Sequence, residues 1–310
     1  MAAGLVTVLI NNYNYGRYLR QAIDSALAQS YSDLEVVVVD DGSTDDSRDV
    51  IASYAEKIRS VLKPNGGQAT AINAGFAMSR GDVICLLDSD DWFLPGKVTT
   101  VAEVFAAHAE ASWVFHPLQI TFADGRVQCN STGNTHVVDE RREARRGKLR
   151  GTAPPTSGLC FSRKLLDNLL PMPAEIRITS DNYLKLSAMS LAPGIYLDEG
   201  LAAQRIHESN AYTLRADRLP TQARIHLLIA QALKDRFPEL ARLSDKVFAK
   251  ALADYIAAGE SDAYFRTLIL DYIRRSKFSG IADIVARTGY HYLKRHIVPH
   301  IKLAKSDLRS

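Results

Sequence analysis

The stretch Val83–Trp92, VICLLDSDDW, decides the fold, because an apolar run of five residues opens directly into three carboxylates within four positions. A continuous apolar run of this length indicates a buried strand. Residues two apart in an extended chain point to the same side, so Asp88 and Asp90 can converge on one hard cation, while Asp91 begins the turn. Oxygen ligands of this kind suit Mg²⁺ or Mn²⁺. The alternative is a solvated acidic turn before a helix that starts near Pro95.

A second apolar run is also followed by acids. Leu34–Val39 is rich in valine, which is typical of a parallel sheet covered on both faces. Asp45 and Asp46 are explained by the first turn of the next helix, where the helix dipole favours negative charge. Asp40 and Asp41 come before that turn, at the carboxyl end of a strand, where open α/β sheets bind their ligands.

Strands and helices alternate outward from these two runs. The alternation with short links predicts a single, mostly parallel, doubly wound α/β sheet. The predicted elements of the first hundred residues are strand Leu5–Ile10, a helix ending near Ser30, strand Leu34–Val39, helix Asp45–Glu56, strand Ile58–Leu62, helix Gln68–Met78 and strand Asp82–Leu87.

The pattern changes in the middle of the chain. Trp113–Phe122 is predicted to be a strand, and the basic run Asp139–Gly151 is either a solvated loop or helix face or a mobile lid that closes on a charged substrate. A strand over Leu159–Ser162 and a helix over Asp181–Ala192 follow. From Asp217 onward the pattern is helical almost to the end.

Composition narrows the class of protein. The chain has 310 residues, of which 46% are hydrophobic, enough for a sizeable core. A net charge of +3 is too small to argue for nucleic acid as a partner. The three cysteines lack metal-like spacing and two lie in apolar, strand-like contexts, so buried, reduced thiols in a cytosolic protein are expected. We expect no signal peptide and no membrane span, because the first apolar stretch is short and no later one is long enough.

Four motifs, taken in order, resemble the nucleotide-sugar half of family 2 glycosyltransferases, which have the glycosyltransferase A fold. They are Asn12-Tyr13-Asn14, Asp40-Asp41-Gly42-Ser43, Asn65-Gly66-Gly67-Gln68 with Asn73-Ala74-Gly75, and Asp88-Ser89-Asp90-Asp91. The resemblance covers about the first 210 residues. It implies a metal-dependent, inverting transfer of a sugar from a nucleotide-diphosphate sugar to a hydroxyl group.

The resemblance also assigns residues to the donor. A Mg²⁺ or Mn²⁺ ion held by Asp88, Asp90 and Asp91 would neutralise the leaving diphosphate. Tyr13 would lie on the nucleobase, and Asp41 would accept the uracil imide hydrogen, whereas Asp40 is expected to be structural. The further residues assigned to the nucleotide-sugar are Gly67, Gln68, Asn73 and Ser89.

The chain departs from the family pattern at Ile72, where many members carry an arginine that helps to hold the nucleotide. This departure weakens the case for a uridine donor. A UDP-sugar is still the first expectation, and dTDP-sugars or GDP-sugars stay open.

On the acceptor side, Asp181 occupies the position of the family's general base, and Ser180 stands where the family has a first acid. The alternative for Asp181 is that it only places charge at the start of its helix. The resemblance places Thr156 and Ser157 near the acceptor. His207 would reach the metal or the diphosphate, although a lone histidine is often structural.

The expected function is one sugar transfer per encounter to a glycan or lipid-linked acceptor, in the synthesis of bacterial cell-surface polysaccharide or glycoconjugate. Processive members carry Gln-x-x-Arg-Trp and membrane spans, and the sequence has neither. Two rival functions are a nucleotidyltransferase that makes nucleotide sugars and a scaffold that binds them without chemistry. The nucleotidyltransferases open with a Gly-rich loop after the first strand, where this chain has Asn11–Tyr15.

The predicted organisation is a catalytic domain over residues 1–212, with a nucleotide-sugar half over 1–100 and an acceptor half over 101–212. A helical extension over residues 213–310 follows. Its tail from Asp271 carries nine basic and three acidic residues. Apolar residues at helical spacing in this tail predict peripheral binding to an anionic membrane on its cytoplasmic face. The alternative is packing on the catalytic domain or on a second subunit. The apolar residues are Ile281, Ile284, Val285, Tyr292, Leu293, Ile297 and Ile301.

Overall fold

The computed structural model describes residues 4–129, 133–208, 210 and 217–307, with side chains described as far as residue 295. The chain divides into two compact units. The first comprises residues 1–141 and 150–213, and the second comprises residues 142–149 and 214–310. The predicted domain boundary at residues 212 and 213 lies outside the described residues.

The first half of the first unit alternates strands and helices as the sequence predicts. Its elements are β1 (Val6–Asn12), α1 (Gly16–Leu27), β2 (Leu34–Asp40), α2 (Ser47–Ala52), a 3₁₀ turn (Ala55–Lys57), β3 (Arg59–Leu62), α3 (Gln68–Met78), β4 (Val83–Asp88), β5 (Trp92–Phe93) and α4 (Lys97–Ala107).

The rest of the first unit is less regular, and all of α5 except Arg141 belongs to the second unit. The elements are β6 (Trp113–Phe115), β7 (Leu118–Thr121), β8 (Val127–Cys129), β9 (His136–Val138), α5 (Arg141–Arg145), a 3₁₀ turn (Thr156–Gly158), β10 (Leu159–Ser162), α6 (Arg163–Leu169), α7 (Asp181–Leu191), β11 (Gly194–Tyr196) and β12 (Ala202–Arg205).

The central sheet has the strand order β3-β2-β1-β4-β10-β6-β11-β9, and the first four strands are parallel. Alternate side chains of these strands enter two apolar cores. Val8 and Val38 pack in the same core as Leu19 of α1, whereas Val37 and Val39 pack with Ala71 of α3. Helices therefore cover both faces of the sheet, which is why the strands read as unbroken apolar runs. The predicted α/β class and mostly parallel sheet are confirmed.

The first unit also contains a second sheet of four strands, in the order β5-β12-β7-β8. The sequence predicts a single sheet and does not indicate this one. The prediction of one strand over Trp113–Phe122 is wrong in this respect. The chain leaves the central sheet after β6 and enters the second sheet at β7, with His116 and Pro117 between them. Proline has no N–H to continue a ladder, which favours a break at this point.

The cysteines only partly follow expectation. Cys85 and Cys160 are free and fully buried on the paired strands β4 and β10. Cys129 is also free but exposed on β8, so its thiol is not a core side chain.

The second unit is helical, as predicted. Its helices are α8 (Arg218–Arg236), α9 (Ala241–Ala257), α10 (Ala263–Arg274) and α11 (Phe278–Asp307), with a 3₁₀ turn over Pro238–Leu240. Their shared core includes Phe248, stacked on Tyr272 with ring centroids 3.8 Å apart, and Ile284 of α11. Helix α11 continues through Pro299. None of the described helices combines the length and the apolar character needed to cross a bilayer.

Candidate active site

A cavity of about 730 Å³ opens beyond the carboxyl ends of β1 and β4 in the first unit. The parallel register explains its position, because Asn11 pairs with Asp88 and Asn12 pairs with Asp40 at the ends of adjacent strands. Five acids and one base are its charged lining residues among the described part of the chain, and they are Asp41, Asp88, Asp90, Asp91, Asp181 and Arg177.

Asp88 ends β4 at a polar position that is partly shielded from solvent. Its Oδ1 accepts hydrogen bonds from Asn11 Nδ2 at 3.1 Å and from Gln68 Nε2 at 3.3 Å. Burial, together with the neighbouring charges of Asp90 and Asp181, raises the pKa of Asp88 to about 7. A carboxylate held among like charges gains most from a bound cation.

Asp90 is joined to the segment that follows β12. Its Oδ2 lies 3.0 Å from His207 Nε2 and also accepts a hydrogen bond from Asn210 Nδ2 at 3.0 Å. The His207 ring also lies 4.6 Å from the Tyr18 ring, centroid to centroid. The structure therefore brings His207 to the acidic cluster, where it contacts the carboxylate of Asp90. Its contact with a metal or a diphosphate stays a prediction.

Asp91 is committed to contacts within the protein. Its Oδ2 accepts a hydrogen bond from Ser157 Oγ at 2.6 Å, and its Oδ1 accepts one from the backbone N–H of Arg205 at 3.0 Å. Burial, with the charges of Asp90 and Asp88, raises the pKa of Asp91 well above its usual range. Asp91 thus ties the acidic turn to the β10 and β12 sides of the unit.

The acceptor residues predicted from the sequence separate into two environments. Thr156 lines the cavity, and its side chain favours the charged form of Asp88, which lowers the pKa of that carboxyl against the effect of burial. Ser157 is fully buried; its Oγ accepts from the backbone N–H of Asp88 at 3.1 Å, and its carbonyl accepts from the buried Lys97 Nζ at 2.7 Å. Ser157 therefore holds the acidic turn in place with an enclosed hydroxyl, and its contact with the acceptor stays a prediction.

The described residues include no group of three or more His, Cys, Asp or Glu side chains in position to hold a metal ion. The four predicted ligands are accordingly not assembled into one site, since Asp91 is engaged elsewhere and His207 contacts Asp90. The pair Asp88 and Asp90 still fits a divalent cation. Magnesium is commonly held by one or two carboxylates and completes its shell with water and substrate phosphates.

Asp40 and Asp41 have different partners. Asp40 is fully buried, with hydrogen bonds from Asn12 Nδ2, Ser43 N and Arg48 Nε. Burial opposes its charge, but these hydrogen bonds outweigh it and hold the pKa of Asp40 below its usual range. Asp40 is structural, as predicted.

The oxygens of Asp41 hold the loop before α3. They accept hydrogen bonds from Gly66 N at 2.9 Å and Gly67 N at 2.6 Å, and Lys63 Nζ pairs with the same carboxylate. Gly67 has a φ of +89°, and a side chain there would meet the backbone of Arg177 at 2.6 Å. Only glycine fits this position.

Two further predicted residues differ in exposure. Tyr13 is 47% exposed and lines the cavity, so its ring is available to a ligand and does not fill the turn. Asn73 faces the other way, and its side chain pairs with the backbone of Met172 through hydrogen bonds of 2.9 and 2.8 Å. The amide of Asn73 anchors the chain after α6, and its contact with the nucleotide-sugar stays a prediction. Ile72 is buried and presents nothing to a ligand.

Asp181 is the first residue of α7, and its side chain lines the cavity. Lys185, one turn later, donates to its Oδ2 at 2.7 Å. Both side chains are largely buried, at 11% and 14% exposure. The carboxylate of Asp181 is therefore oriented by a fixed partner while it still faces the cavity that holds Asp88.

Two features of the cavity escaped sequence analysis. Arg177 is the single cationic side chain among its described lining residues, and it donates to Asn65 Oδ1. Three residues that line the cavity each carry a buried polar atom with no hydrogen-bond partner, namely Asn11 Oδ1, Asn12 Oδ1 and Ser89 Oγ. Buried polar atoms are ordinarily paired, so these three are unsatisfied polar groups beside the cavity.

Comparison with known proteins agrees with this architecture. Residues 7–168 match the model of Glycosyl transferase family 2. An uncharacterized glycosyltransferase from Nostoc sp. is 38% identical over 224 residues, which cover 70% of this chain and 69% of that protein. Chondroitin synthase from Pasteurella multocida is 36% identical over 129 residues, which cover 41% of this chain and 13% of that protein.

Among solved structures, residues 1–349 of S. aureus TarS in complex with UDP-GlcNAc superpose with a TM-score of 0.63. The match covers 93% of this chain and 89% of that chain at 18% identity, and therefore shows a shared fold. The chain thus belongs to glycosyl transferase family 2. It is a glycosyltransferase, and the family predicted from the four motifs is confirmed.

Proposed function

We propose that the chain transfers a sugar from a nucleotide-diphosphate sugar to an acceptor hydroxyl, with inversion at the anomeric carbon. The observation that carries the proposal is the placement of Asp181 and the Asp88–Asp90 turn on one cavity wall, near enough for the charge of Asp181 to raise the pKa of Asp88. One group of acids lies where a diphosphate and a cation fit, and Asp181 is available to accept the acceptor's proton.

In this proposal Asp88 and Asp90 hold Mn²⁺ or Mg²⁺, which would neutralise the charge of the leaving nucleoside diphosphate. Tyr13 offers its ring to the nucleobase. Asn11, Asn12 and Ser89 line the part of the cavity proposed for the donor. Asp41 shapes the loop over the nucleotide, and Thr156 lies where an acceptor would approach.

A UDP-sugar is the first candidate donor, because structural relatives of this fold include TarS with UDP-GlcNAc and with UDP. The test is a thermal-unfolding screen of UDP, dTDP and GDP with Mn²⁺, since a ligand that binds only the folded state raises the melting temperature. The preferred nucleotide then defines the sugars for hydrolysis assays. Stabilisation by none of the three would contradict the proposal.

Assays distinguish the proposed sugar transfer from two rival functions. A scaffold without chemistry would bind the nucleotide but leave the donor intact after prolonged incubation. A nucleotidyltransferase would instead release pyrophosphate from a nucleoside triphosphate and a sugar phosphate. The turn after β1, from Asn12 to Gly16, contains no Gly-rich phosphate loop, which favours the transferase.

The first prediction concerns Arg177, the cation of the cavity. Replacing Arg177 with Ala should weaken UDP binding roughly tenfold, since hydrogen bonds to charged groups contribute about 1.5–3 kcal/mol. Uridine should bind both proteins equally if the contact is with the diphosphate. Titration calorimetry with Mn²⁺ measures both ligands. Arg266→Ala, at an exposed position on α10, is the matched control, and equal loss of UDP affinity in both variants would contradict a direct contact.

The acceptor is proposed to be a glycan or a lipid-linked intermediate reached at the cytoplasmic face of a membrane. Helix α11 supports this idea with exposed apolar side chains seven or eight residues apart, because Phe278 and Val285 are 89% and 64% exposed and Leu293 is 53% exposed. Basic residues accompany them along the helix. Ile284 is different, since it is buried in the core of the helical unit.

The second prediction tests this helix. Val285→Ser combined with Leu293→Ser should reduce sedimentation with vesicles that contain phosphatidylserine. The two changes remove apolar side chains from the helix face that would enter the headgroup region. Truncation after Ser276 is a poorer test, as it would remove Ile284 from the core. Leu270→Ser, 53% exposed on α10, is the control. If the parent protein stays in the supernatant at low salt, the face packs on protein, for example in a homodimer.

A further inference from the structure

The segment just before Asp181 departs twice from ordinary local preferences. Thr179 has a φ of +48°, a left-handed conformation that β-branched residues rarely adopt. Ser180 occupies the N-cap of α7, yet its side chain makes no capping hydrogen bond, although a serine there ordinarily accepts one from the first turn. Strained conformations persist where surrounding contacts hold them, and they concentrate at functional sites.

Gln68, the first residue of α3, supplies the contacts that hold this segment. Its backbone N–H donates to the carbonyl of Arg177 at 2.8 Å. Its side-chain Oε1 accepts two hydrogen bonds from Ser180, one from the backbone N–H and one from the hydroxyl, both at 3.0 Å. Ser180 is fully buried. Its hydroxyl donates to Gln68 on α3 instead of accepting the usual capping hydrogen bond from the first turn of α7.

These two bonds fix the orientation of the Gln68 amide. A backbone N–H can only donate, so the atom that faces Ser180 must be the oxygen. The amide nitrogen is thereby turned toward Asp88, whose Oδ1 accepts its hydrogen bond at 3.3 Å. A continuous path of hydrogen bonds then runs from the start of α7 to the carboxyl end of β4.

We infer that Gln68 and Ser180 are positioning residues that fix Asp181 relative to Asp88. The inference rests on the proposed function, in which Asp181 acts on the acceptor and Asp88 lies on the donor side. Ser180 is suited to this because its hydroxyl can donate. A carboxylate at position 180 could only accept, so it would lose the hydroxyl's bond to Gln68 Oε1 and place two acceptor oxygens against each other.

The test compares Ser180→Ala and Ser180→Asp with the parent protein in hydrolysis of UDP-GlcNAc, or of the donor that the nucleotide screen selects. We expect kcat to fall about tenfold in Ser180→Ala and further in Ser180→Asp, because misplacing a reacting group by about 1 Å can cost roughly a hundredfold. KM should change by less than about twofold, since the donor contacts are kept. Ser187→Ala is the matched control, because Ser187 is equally buried on α7 and its hydroxyl has no partner.

A kcat within about twofold of the parent in Ser180→Ala, or an equal fall in Ser187→Ala, overturns the inference. If the parent protein hydrolyses no nucleotide sugar, the proposed function fails instead. The contact can then be tested separately by a double-mutant cycle of thermal unfolding with Gln68→Met and Ser180→Ala. Non-additive shifts in melting temperature support the coupling, and additive shifts overturn it.

Discussion

Replacing Asp181 with Asn is expected to lower the rate of sugar transfer on the order of a hundredfold or more, while nucleotide affinity stays near that of the parent protein. The amide has the shape of the carboxylate but cannot accept a proton from the acceptor hydroxyl. Asp181 is placed for this chemistry, because it lines the cavity at the start of α7 and is oriented by Lys185 at 2.7 Å. Steady-state hydrolysis and calorimetry with UDP and Mn²⁺ measure the two quantities.

The control for this variant is Asp167→Asn, which changes an exposed acid on α6 of the same unit. It should leave the rate unchanged. A second measurement concerns stereochemistry, since a single displacement aided by one base inverts the anomeric carbon. An NMR spectrum of the first-formed product with retained configuration would contradict the assignment, as would parental rates in Asp181→Asn.

The fold could be predicted from the sequence because the apolar runs that indicate its strands are local patterns. The predicted strands Leu34–Val39 and Asp82–Leu87 correspond to β2 and β4, and their predicted ends differ from the observed ends by about one residue. The register of parallel strands then gathers Asp40 and Asp88 at one edge of the sheet. The second sheet was missed because β5 and β12 are two and four residues long, too short to show a period.

The site was predicted less completely, since several assignments depend on contacts between distant segments. Asn73 belongs to a recognisable motif, but its amide is used by Met172, 99 residues away. Ser157 is enclosed by its bond to Asp91, 66 residues away. Arg177 follows no periodic pattern and belongs to none of the quoted motifs, so only the folded chain shows that it shares a cavity with Asp88.

The same limits apply to the role of Asp41. Its place at the end of β2 is visible in sequence, whereas its hydrogen bonds to Gly66 and Gly67 are not. A residue that shapes a binding loop and one that contacts the ligand can therefore have the same sequence pattern. Substituting Asp41 would alter the loop together with any contact to the nucleobase.

Replacing Asp90 with Ala is expected to abolish cation-dependent binding of UDP and with it the activity, while leaving the first unit folded. Asp90 lines the cavity. Its carboxylate is not bound to the backbone of β12, whereas that of Asp91 is. Without it, Asp88 alone faces the diphosphate, and the repulsion between two anions is no longer offset by a shared cation. The measurement is the rise in melting temperature caused by Mn²⁺ with UDP, followed by donor hydrolysis in excess chelator.

A second variant separates charge from contacts, because Asp90 also holds His207 and Asn210 at 3.0 Å. Asp90→Asn keeps a side chain able to hydrogen-bond this segment but removes the charge that attracts a cation. Both variants should therefore lose the Mn²⁺-dependent stabilisation, and Asn should lose less intrinsic stability than Ala. Asp33→Ala, at an exposed acid before β2, should behave like the parent. Full turnover by the parent protein in excess chelator would show that Asp88 and Asp90 act without a cation, and the acidic turn would then need another explanation.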